Sequence, residues 1–278
     1  MMSNMLIDPD GNVLFASRDR ISRVDHAGNI GWSQSLPEKI TSKSSLLLVD
    51  SVIYMINRGH ALYNGGFSPI GDPYIAAFDL YTGKQLYFTH MAEEKGTVIN
   101  YQIINDQLFL VFEDKIATYS LWDGIAIKEK AIDLQKEERL EGFAEPGLYV
   151  KQDDSIFTEL TSGFYNYNVI TTTGGRAFVL TDSLETLVAY DSEDLFHRTI
   201  DNPRYTLVTR DDSDFIVLGH SNNALATFKA VPNMFLYRDT LYFFDKDAFW
   251  EIDLTQLQYT PSVWQSIFRN VSKYLPAV

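Results

Sequence analysis

The chain has 278 residues, of which 45% are hydrophobic, 14% aromatic and 22% charged. Its formal net charge is −14, from 23 Lys and Arg against 37 Asp and Glu, and it contains no cysteine. This charge disfavours nucleic acid and anionic membrane surfaces as partners, and the lack of cysteine excludes disulfides, thiolate metal sites and a cysteine nucleophile.

The length suits one large all-β domain as well as two smaller domains. The N-terminus lacks a basic segment followed by an apolar run, and nowhere do about 18 apolar residues stand together. We therefore expect a cytoplasmic protein with no membrane insertion. A chain from which an export signal had been trimmed would look the same, so a periplasmic or secreted location stays open.

Short apolar runs rich in β-branched and aromatic residues follow one another along the chain and predict strands. The clearest runs occupy residues 13–16, 45–49, 52–56, 74–78, 108–112, 178–181, 215–218 and 241–244. Polar turns such as residues 10–12, 105–107 and 211–214 separate such runs. This succession predicts an all-β fold.

A motif recurs in which a strand ends on an apolar and an acidic residue and is followed by a glycine turn and another strand. The best copies are residues 77–87, 22–32 and 117–125, and weaker copies occur at 157–160, 188–191, 225–228 and 250–253. The strand ends fall near positions 25, 79, 120, 160, 191, 229 and 253. Because a four-stranded blade needs about 40 residues, this spacing predicts a β-propeller of about seven blades, with six or eight as alternatives.

Three positions of the motif have predicted structural roles. They are an acidic residue, a glycine and an aromatic residue, occupied by Asp25, Gly28 and Trp32 in one copy and by Asp79, Gly83 and Tyr87 in another. The carboxylate is expected to accept backbone N–H bonds, and the glycine to adopt a positive φ. The aromatic ring, four residues after the glycine, is expected to lie against the next blade.

The motif resembles the repeat of the PQQ-like, or quinoprotein-like, β-propellers, Ala-x-Asp-x-x-Thr-Gly-Lys-x-x-Trp. Residues 77–87 match it except at Tyr87, and residues 22–32 keep Asp25, Gly28 and Trp32. The resemblance implies that the motif docks one blade on the next. Enzymes of this class are usually longer, bind a quinone with calcium at the propeller axis and often use a vicinal disulfide. This cysteine-free chain is more similar to the non-enzymatic members, which use the disc as a platform for proteins.

Two segments interrupt the repeat, a Gly- and Pro-rich segment at residues 58–73 and an aromatic segment at residues 162–168. Aromatic and acidic loops favour protein partners, although rings that fold back over the blade below are the alternative. The residues predicted to contact a partner are Tyr63, Phe67, Phe164, Tyr165, Tyr167, Asp211 and Asp212.

No catalytic, nucleotide-binding or zinc motif occurs, and the five histidines are dispersed. Acidic segments at residues 153–154, 191–194 and 211–214 offer oxygen ligands for Ca²⁺ but lack the spacing of a calcium loop, so we predict solvated turns, no metal and no cofactor.

These features predict a non-catalytic scaffold that binds a protein partner, with a basic partner favoured by the charge. An inhibitor, immunity or assembly role is a hypothesis within this class. The alternative function is a small-molecule or quinoprotein-like enzyme site at the propeller axis.

The end of the chain has a different pattern. Pro261 precedes apolar residues at helical spacing, namely Val263, Trp264, Ile267, Phe268, Val271, Tyr274 and Leu275. This pattern predicts a short amphipathic α-helix at residues 261–278, packed on or extending from a propeller formed by residues 1–260.

Overall fold

The computed structural model describes residues 5–17, 19–36, 44–63, 66–69, 72–91, 98–152, 156–160, 167–201, 204–210, 214–219, 221–229, 234–245, 248–256 and 269–270. Most of these residues lie in antiparallel strands, which confirms the all-β prediction. Their helical turns are three-residue 3₁₀ helices at Ser192–Asp194 and Leu254–Gln256. No helix in these ranges is long and apolar enough to cross a membrane.

The chain divides into two compact units, residues 1–143 with 183–185 and residues 144–182 with 186–278. The strands of the first unit are β1 Leu6–Ile7, β2 Val13–Ser17, β3 Arg20–Val24, β4 Ile30–Ser35, β5 Ser45–Val49, β6 Val52–Asn57, β7 His60–Tyr63, β8 Gly66–Pro69, β9 Tyr74–Asp79, β10 Gln85–His90, β11 Asn100–Ile104, β12 Gln107–Val111, β13 Lys115–Ser120, β14 Ala126–Ala131 and β15 Leu140–Phe143.

Most strands of the first unit form three sheets of four antiparallel strands. Sheet 1 has the order β1-β2-β3-β4, sheet 2 the order β5-β6-β9-β10, and sheet 3 the order β11-β12-β13-β14. In each sheet the repeated motif forms the turn between the last two strands, as the sequence predicts.

The three sheets stack on one another through shared apolar cores. One core joins sheets 1 and 2 and includes Leu14, Ile21 and Phe78. A second joins sheets 2 and 3 and includes Ile56 and Phe112. Strands β6 and β9 are buried along nearly their whole length, which explains why their sequences are continuous apolar runs rather than alternating ones.

Residues 58–73, predicted to be a loop, instead contain the short hairpin β7–β8, with Leu62 opposite Phe67 and Tyr63 opposite Gly66. The hairpin connects β6 to β9 and interrupts sheet 2 only in sequence, since these two strands pair directly. The Gly and Pro content of the segment hid its short strands.

The strands of the second unit are β16 Leu148–Lys151, β17 Phe157–Leu160, β18 Tyr167–Thr172, β19 Ala177–Thr181, β20 Thr186–Tyr190, β21 Leu195–Asp201, β22 Thr206–Arg210, β23 Asp214–Leu218, β24 Ala224–Lys229, β25 Met234–Tyr237, β26 Thr240–Asp245, β27 Ala248–Asp253 and β28 Arg269–Asn270.

The second unit is also built from stacked antiparallel sheets. Strands β18, β19 and β20 pair in order in sheet 4. Sheet 5 has six strands in the order β17-β16-β21-β22-β23-β24, and sheet 6 has the order β25-β26-β27-β28. One apolar core, with Leu148 and Val169, joins sheets 4 and 5, and another, with Phe215 and Leu241, joins sheets 5 and 6.

Apart from the hairpin β7–β8, the described residues form six sheets, fewer than the seven blades predicted and equal to the lower alternative. The predicted strand ends near 25, 79 and 120 each precede a turn between the last two strands of a sheet, and the one near 253 ends β27, the third strand of sheet 6. The predicted strand ends near 160, 191 and 229 do not precede such a turn. Residues 157–160 form the edge strand β17. Positions 191 and 229 lie at the ends of β20 and β24, each of which is the last strand of its sheet. In sheet 4 the corresponding turn lies at residues 182–185, and in sheet 5 the amide of Gly219 bonds to the carbonyl oxygen of Asn223 between β23 and β24.

Most of the predicted C-terminal helix lies outside the described residues. Its described pair, Arg269–Asn270, is extended and pairs with Trp250 and Glu251 of β27. At these two positions the helix prediction is therefore wrong. The predicted division of the chain at residue 260 stays a prediction.

Candidate functional site

Each of sheets 2 and 3 carries two turns at the same end, one joining its first two strands and one joining its last two. In sheet 2, the amide of Leu80 donates a hydrogen bond to the carbonyl oxygen of Ser51, at 2.9 Å. In sheet 3, the amide of Leu121 donates in the same way to Asp106, at 3.1 Å. Both leucines are buried, so each pair of turns is fixed to the core below it.

Trp32 of sheet 1 packs on the motif turn of sheet 2. Its indole Nε1 donates a hydrogen bond to the carbonyl oxygen of Leu80, at 2.9 Å. Its ring lies so close to Gly83 that a Cβ atom there would be 2.5 Å from the ring, and Gly83 has a φ of +69°. Only glycine meets both requirements without strain.

Tyr87 of sheet 2 packs on the motif turn of sheet 3 in the same manner, and a Cβ atom on Gly124 would lie 2.5 Å from its ring. The phenol oxygen is buried and has no hydrogen-bond partner among the described residues, and burial raises the pKa of Tyr87. These two contacts bring the turn ends of sheets 1, 2 and 3 together. We call this surface the turn face and define it as residues 8–12, 25–29, 50–51, 79–84, 105–106 and 120–125.

The motif carboxylates of the turn face are held by their own turns. Asp25 accepts hydrogen bonds from the backbone and side chain of Asn29, and Asp79 accepts them from the backbone and hydroxyl of Thr82. These hydrogen bonds lower the pKa of both Asp25 and Asp79. The two carboxylates therefore stay ionised at neutral pH and keep a fixed orientation.

Arg23 forms the main cationic contact of the turn face. It donates to the buried carboxylate of Asp8, at 2.6 Å, and to Asp10, at 2.8 Å. Burial alone would raise the pKa of Asp8, but hydrogen bonds from Asn12 and Arg23 outweigh that effect and lower it. The guanidinium carbon of Arg23 also lies 5.7 Å from the ring centroid of Tyr81.

Two large aromatic side chains project from the turn face. Tyr81 is 57% exposed and Trp122 is 78% exposed. They occupy equivalent positions, since each stands two residues after the first residue of its motif turn, Asp79 or Ser120. The turn face contains seven aspartates and one lysine, namely Asp8, Asp10, Asp25, Asp50, Asp79, Asp106, Asp123 and Lys84. It is therefore an acidic surface with two exposed rings.

None of the residues predicted to bind a partner belongs to the turn face as defined above. Tyr63 and Phe67 belong to the hairpin β7–β8, at the end of sheet 2 opposite the turn face, and their side chains lie outside the described set. Tyr167 begins β18 and packs half-buried against the core of sheets 4 and 5. The remaining four, Phe164, Tyr165, Asp211 and Asp212, lie outside the described residues.

Sequence reasoning missed Tyr81 and Trp122. The signal was present, because both follow the motif's first turn residue at the same distance in two neighbouring copies. An aromatic residue in a repeat motif is usually interpreted as a packing residue, as Trp32 and Tyr87 are. Whether its side chain is exposed depends on which residues of the neighbouring sheet lie close to it.

Sheet 5 contains a separate feature, a cleft of about 270 Å³. Its lining residues are Lys151, Glu193, Asp194, Phe196, Arg210, Ile216 and Thr227. A guanidinium nitrogen of Arg210 donates to the carbonyl oxygen of Glu193, at 2.6 Å, and its carbon lies 5.7 Å from the ring centroid of Phe196. The cleft thus combines both signs of charge with an aromatic wall.

Beneath the cleft, sheet 5 encloses an apolar cluster of its own that includes Phe157, Phe196 and Ile216. The starts of its two edge strands, β17 and β24, lie next to each other. The amide of Phe157 donates to the carbonyl oxygen of Asn222, at 3.0 Å, and an isolated bridge joins Ile156 to Asn223.

The structure describes only part of the acidic segments considered for calcium. Residues 153–154 and 211–213 lie outside the described set, and residues 192–194 form the 3₁₀ helix beside the cleft. Within the described ranges, no three carboxylate or imidazole groups come together as a metal site would require.

Comparisons with known proteins give similarities at the level of structure. No protein-family model and no curated protein matches the sequence. The crystal structure of BamB from Moraxella catarrhalis is similar with a TM-score of 0.42 and 12% identity over 92% of this chain and 73% of that chain. The Cps50 (Swd1) β-propeller domain of Myceliophteria thermophila is similar with a TM-score of 0.43 and 8% identity over 92% of this chain and 84% of that domain.

Proposed function

We propose that the protein is a non-catalytic binding module whose turn face docks on a basic protein surface. The observation that carries this proposal is the exposure of Trp122 and Tyr81 at equivalent positions within an acidic surface. Trp and Tyr are enriched in the binding centres of protein interfaces, where they bury large areas. The surrounding aspartates attract a cationic partner and disfavour an acidic one.

The turn face is organised before any partner arrives. Asp25 and Asp79 are held by hydrogen bonds within their own turns, and Leu80 and Leu121 fix the turns to the core. Binding therefore requires little reordering of the backbone, which favours affinity because less conformational entropy is lost.

The test is affinity capture from native cells with three proteins: wild type, Trp122→Ala and Phe235→Ala. Phe235 is 49% exposed in sheet 6 and serves as a matched control outside the turn face. We expect a basic protein to be retained by wild type and Phe235→Ala at low salt and lost with Trp122→Ala or at high salt. Equal retention by all three proteins, or the same loss with Phe235→Ala, would reject the turn face as the binding surface.

The fold predicted from the sequence repeat, a PQQ-like β-propeller of about seven blades, remains part of this proposal. Support comes from the docking of Trp32 on Gly83 and of Tyr87 on Gly124, which is what the resemblance implies for neighbouring blades. An inhibitor, immunity or assembly role is tested by identifying the protein that the capture experiment retains.

The cleft in sheet 5 favours a second candidate function, the binding of a small zwitterion such as a free amino acid. Lys151 and Arg210 lie on its lining together with Glu193 and Asp194, and Phe196 offers an apolar wall. A ligand with an ammonium group, a carboxylate and an apolar side chain matches these three kinds of group.

Thermal unfolding tests this second function. A free apolar amino acid should raise the melting temperature of the wild type, whereas its N-acetyl amide, which carries no charge, should not. The shift should disappear in Lys151→Ala and persist in Lys128→Ala, an exposed lysine of sheet 3. No shift with any amino acid would reject the zwitterion site.

A further inference from the structure

We infer that the turn face selects arginine over lysine, and that the guanidinium group of the partner stacks on Trp122. This inference rests on the proposed function and names the chemistry of the partner. It follows from a contact inside the protein, made by Arg23, that serves as a template for the contact between the partner and Trp122.

The template is Arg23, which joins sheet 1 to sheet 2. Its guanidinium group bonds to Asp8 and Asp10 in the first turn of sheet 1 and also lies over the ring of Tyr81 in the motif turn of sheet 2. A guanidinium group held by carboxylates on one side and an aromatic face on the other is a favourable arrangement that lysine reproduces poorly.

The next pair of sheets has the ring and the acids but not the arginine. Trp122 of sheet 3 occupies the position of Tyr81 in sheet 2. Arg23 stands two residues before Asp25, and the residue two before Asp79 is Ala77, which is fully buried. Among the residues that the structure describes, none places a cation over the ring of Trp122.

The turns of sheets 2 and 3 also carry carboxylates, as the first turn of sheet 1 does. Asp50 lies in the first turn of sheet 2, as Asp8 and Asp10 lie in the first turn of sheet 1, and Asp123 follows Trp122 directly. Asp106 lies in the first turn of sheet 3, whose last turn carries Trp122. Neither Asp50 nor Asp106 forms an ion pair with a described residue.

A cation from a partner would meet an aromatic ring and carboxylates, the two kinds of group that Arg23 contacts inside the protein. The planar guanidinium stacks on the indole and presents several N–H donors to the carboxylates, whereas an ammonium group is more strongly hydrated and makes a point contact. Trp122 is also more exposed than Tyr81, at 78% against 57%, so its ring is accessible to a partner side chain.

Two labelled peptides of equal length and charge, one of alternating Gly and Arg and one of alternating Gly and Lys, test the inference by fluorescence anisotropy. We expect wild type to bind the arginine peptide about tenfold more tightly, since cation–π contacts of this kind correspond to about that ratio. Trp122→Ala should bind the two peptides equally, and Trp122→Phe should keep part of the preference. Asp50→Asn should weaken binding of the arginine peptide.

The outcomes separate the two proposals. Equal binding of both peptides by wild type overturns arginine selection and leaves the basic partner in place. A preference that survives in Trp122→Ala overturns the assignment to Trp122. Failure to bind either peptide overturns the inference, while the capture experiment with Phe235→Ala as its control decides the proposed function independently.

Discussion

Trp32 lies so close to Gly83 that a Cβ atom on the glycine would be 2.5 Å from the indole ring. The two residues are 51 positions apart in the sequence and belong to adjacent sheets of the first unit. Because Trp32 also donates a hydrogen bond to Leu80, the indole fixes both the distance and the register between sheets 1 and 2. Tyr87 and Gly124 repeat the close contact between sheets 2 and 3.

The first prediction concerns the glycine of this contact. Gly83→Ala should lower the free energy of unfolding by about 2–4 kcal/mol, because a positive φ strains alanine and the new methyl group collides with the Trp32 ring. Gly28→Ala is the matched control, since Gly28 has a φ of +86° but a Cβ atom there would have no other atom within 4 Å. It should lose only about 1 kcal/mol. Equal losses by denaturant unfolding would show that the ring contact contributes nothing.

The second prediction compares the two docking rings. Trp32→Phe should destabilise the protein by at least about 1 kcal/mol, because the hydrogen bond to the carbonyl oxygen of Leu80 is lost. Tyr87→Phe should leave stability within about 0.5 kcal/mol of wild type or raise it, because the buried phenol has no described partner to lose. Urea unfolding measures both. A large loss in Tyr87→Phe would reveal a hydrogen bond made by that hydroxyl.

Local sequence chemistry predicts the first unit well. Runs such as residues 45–49 and 52–56 are strands. Two of the motif turns begin at an aspartate, Asp25 or Asp79, because backbone amides two to four residues later need a hydrogen-bond acceptor. These interactions involve neighbours in sequence, so a single sequence reveals them. The leucine directly after the strand end, as in Leu80, Leu121 and Leu254, is a further repeat of this kind that the sequence analysis did not include.

The strand ends of the second unit are predicted less well, because the hairpin β16–β17 belongs to the next sheet along the chain. Strands β16 and β17 are inserted before β18 in sequence, yet β16 pairs with β21 of sheet 5. This inserted hairpin lengthens the spacing between successive motif turns. The weaker copies of the motif at residues 157–160 and 188–191 placed the expected strand ends at 160 and 191, whereas the structure has the turn of sheet 4 after Thr181.

The candidate site was harder to predict than the fold, because it depends on which turns meet. Trp122 and Leu121 are adjacent apolar residues, yet one is 78% exposed and the other 4% exposed. Their different fates follow from the stacking of sheets 2 and 3, which buries Leu121 beside Tyr54 and Ile103. Sequence spacing alone does not contain that information.

The third prediction concerns acid stability. Hydrogen bonds from the hydroxyl and amide of Thr82 lower the pKa of Asp79 below its usual value. The ionised carboxylate therefore stabilises the folded state above about pH 4, and this contribution is lost as the pH falls through the lowered pKa. Asp79→Asn should melt below wild type at about pH 6, and the difference should shrink towards about pH 2. A difference in melting temperature that does not change with pH would contradict this origin.

The fourth prediction separates a structural residue from its exposed neighbour. Leu121→Ala should cost about 2–5 kcal/mol, because it opens a cavity in the core between sheets 2 and 3 and disturbs the turn bonded to Asp106. Trp122→Ala should change stability by no more than about 0.5 kcal/mol, because its side chain is mostly in water. Both are measured by denaturant unfolding of the full chain. A large loss in Trp122→Ala would mean that this ring is a structural residue of sheet 3, and any loss of partner binding in that variant would then follow from unfolding of the turn face.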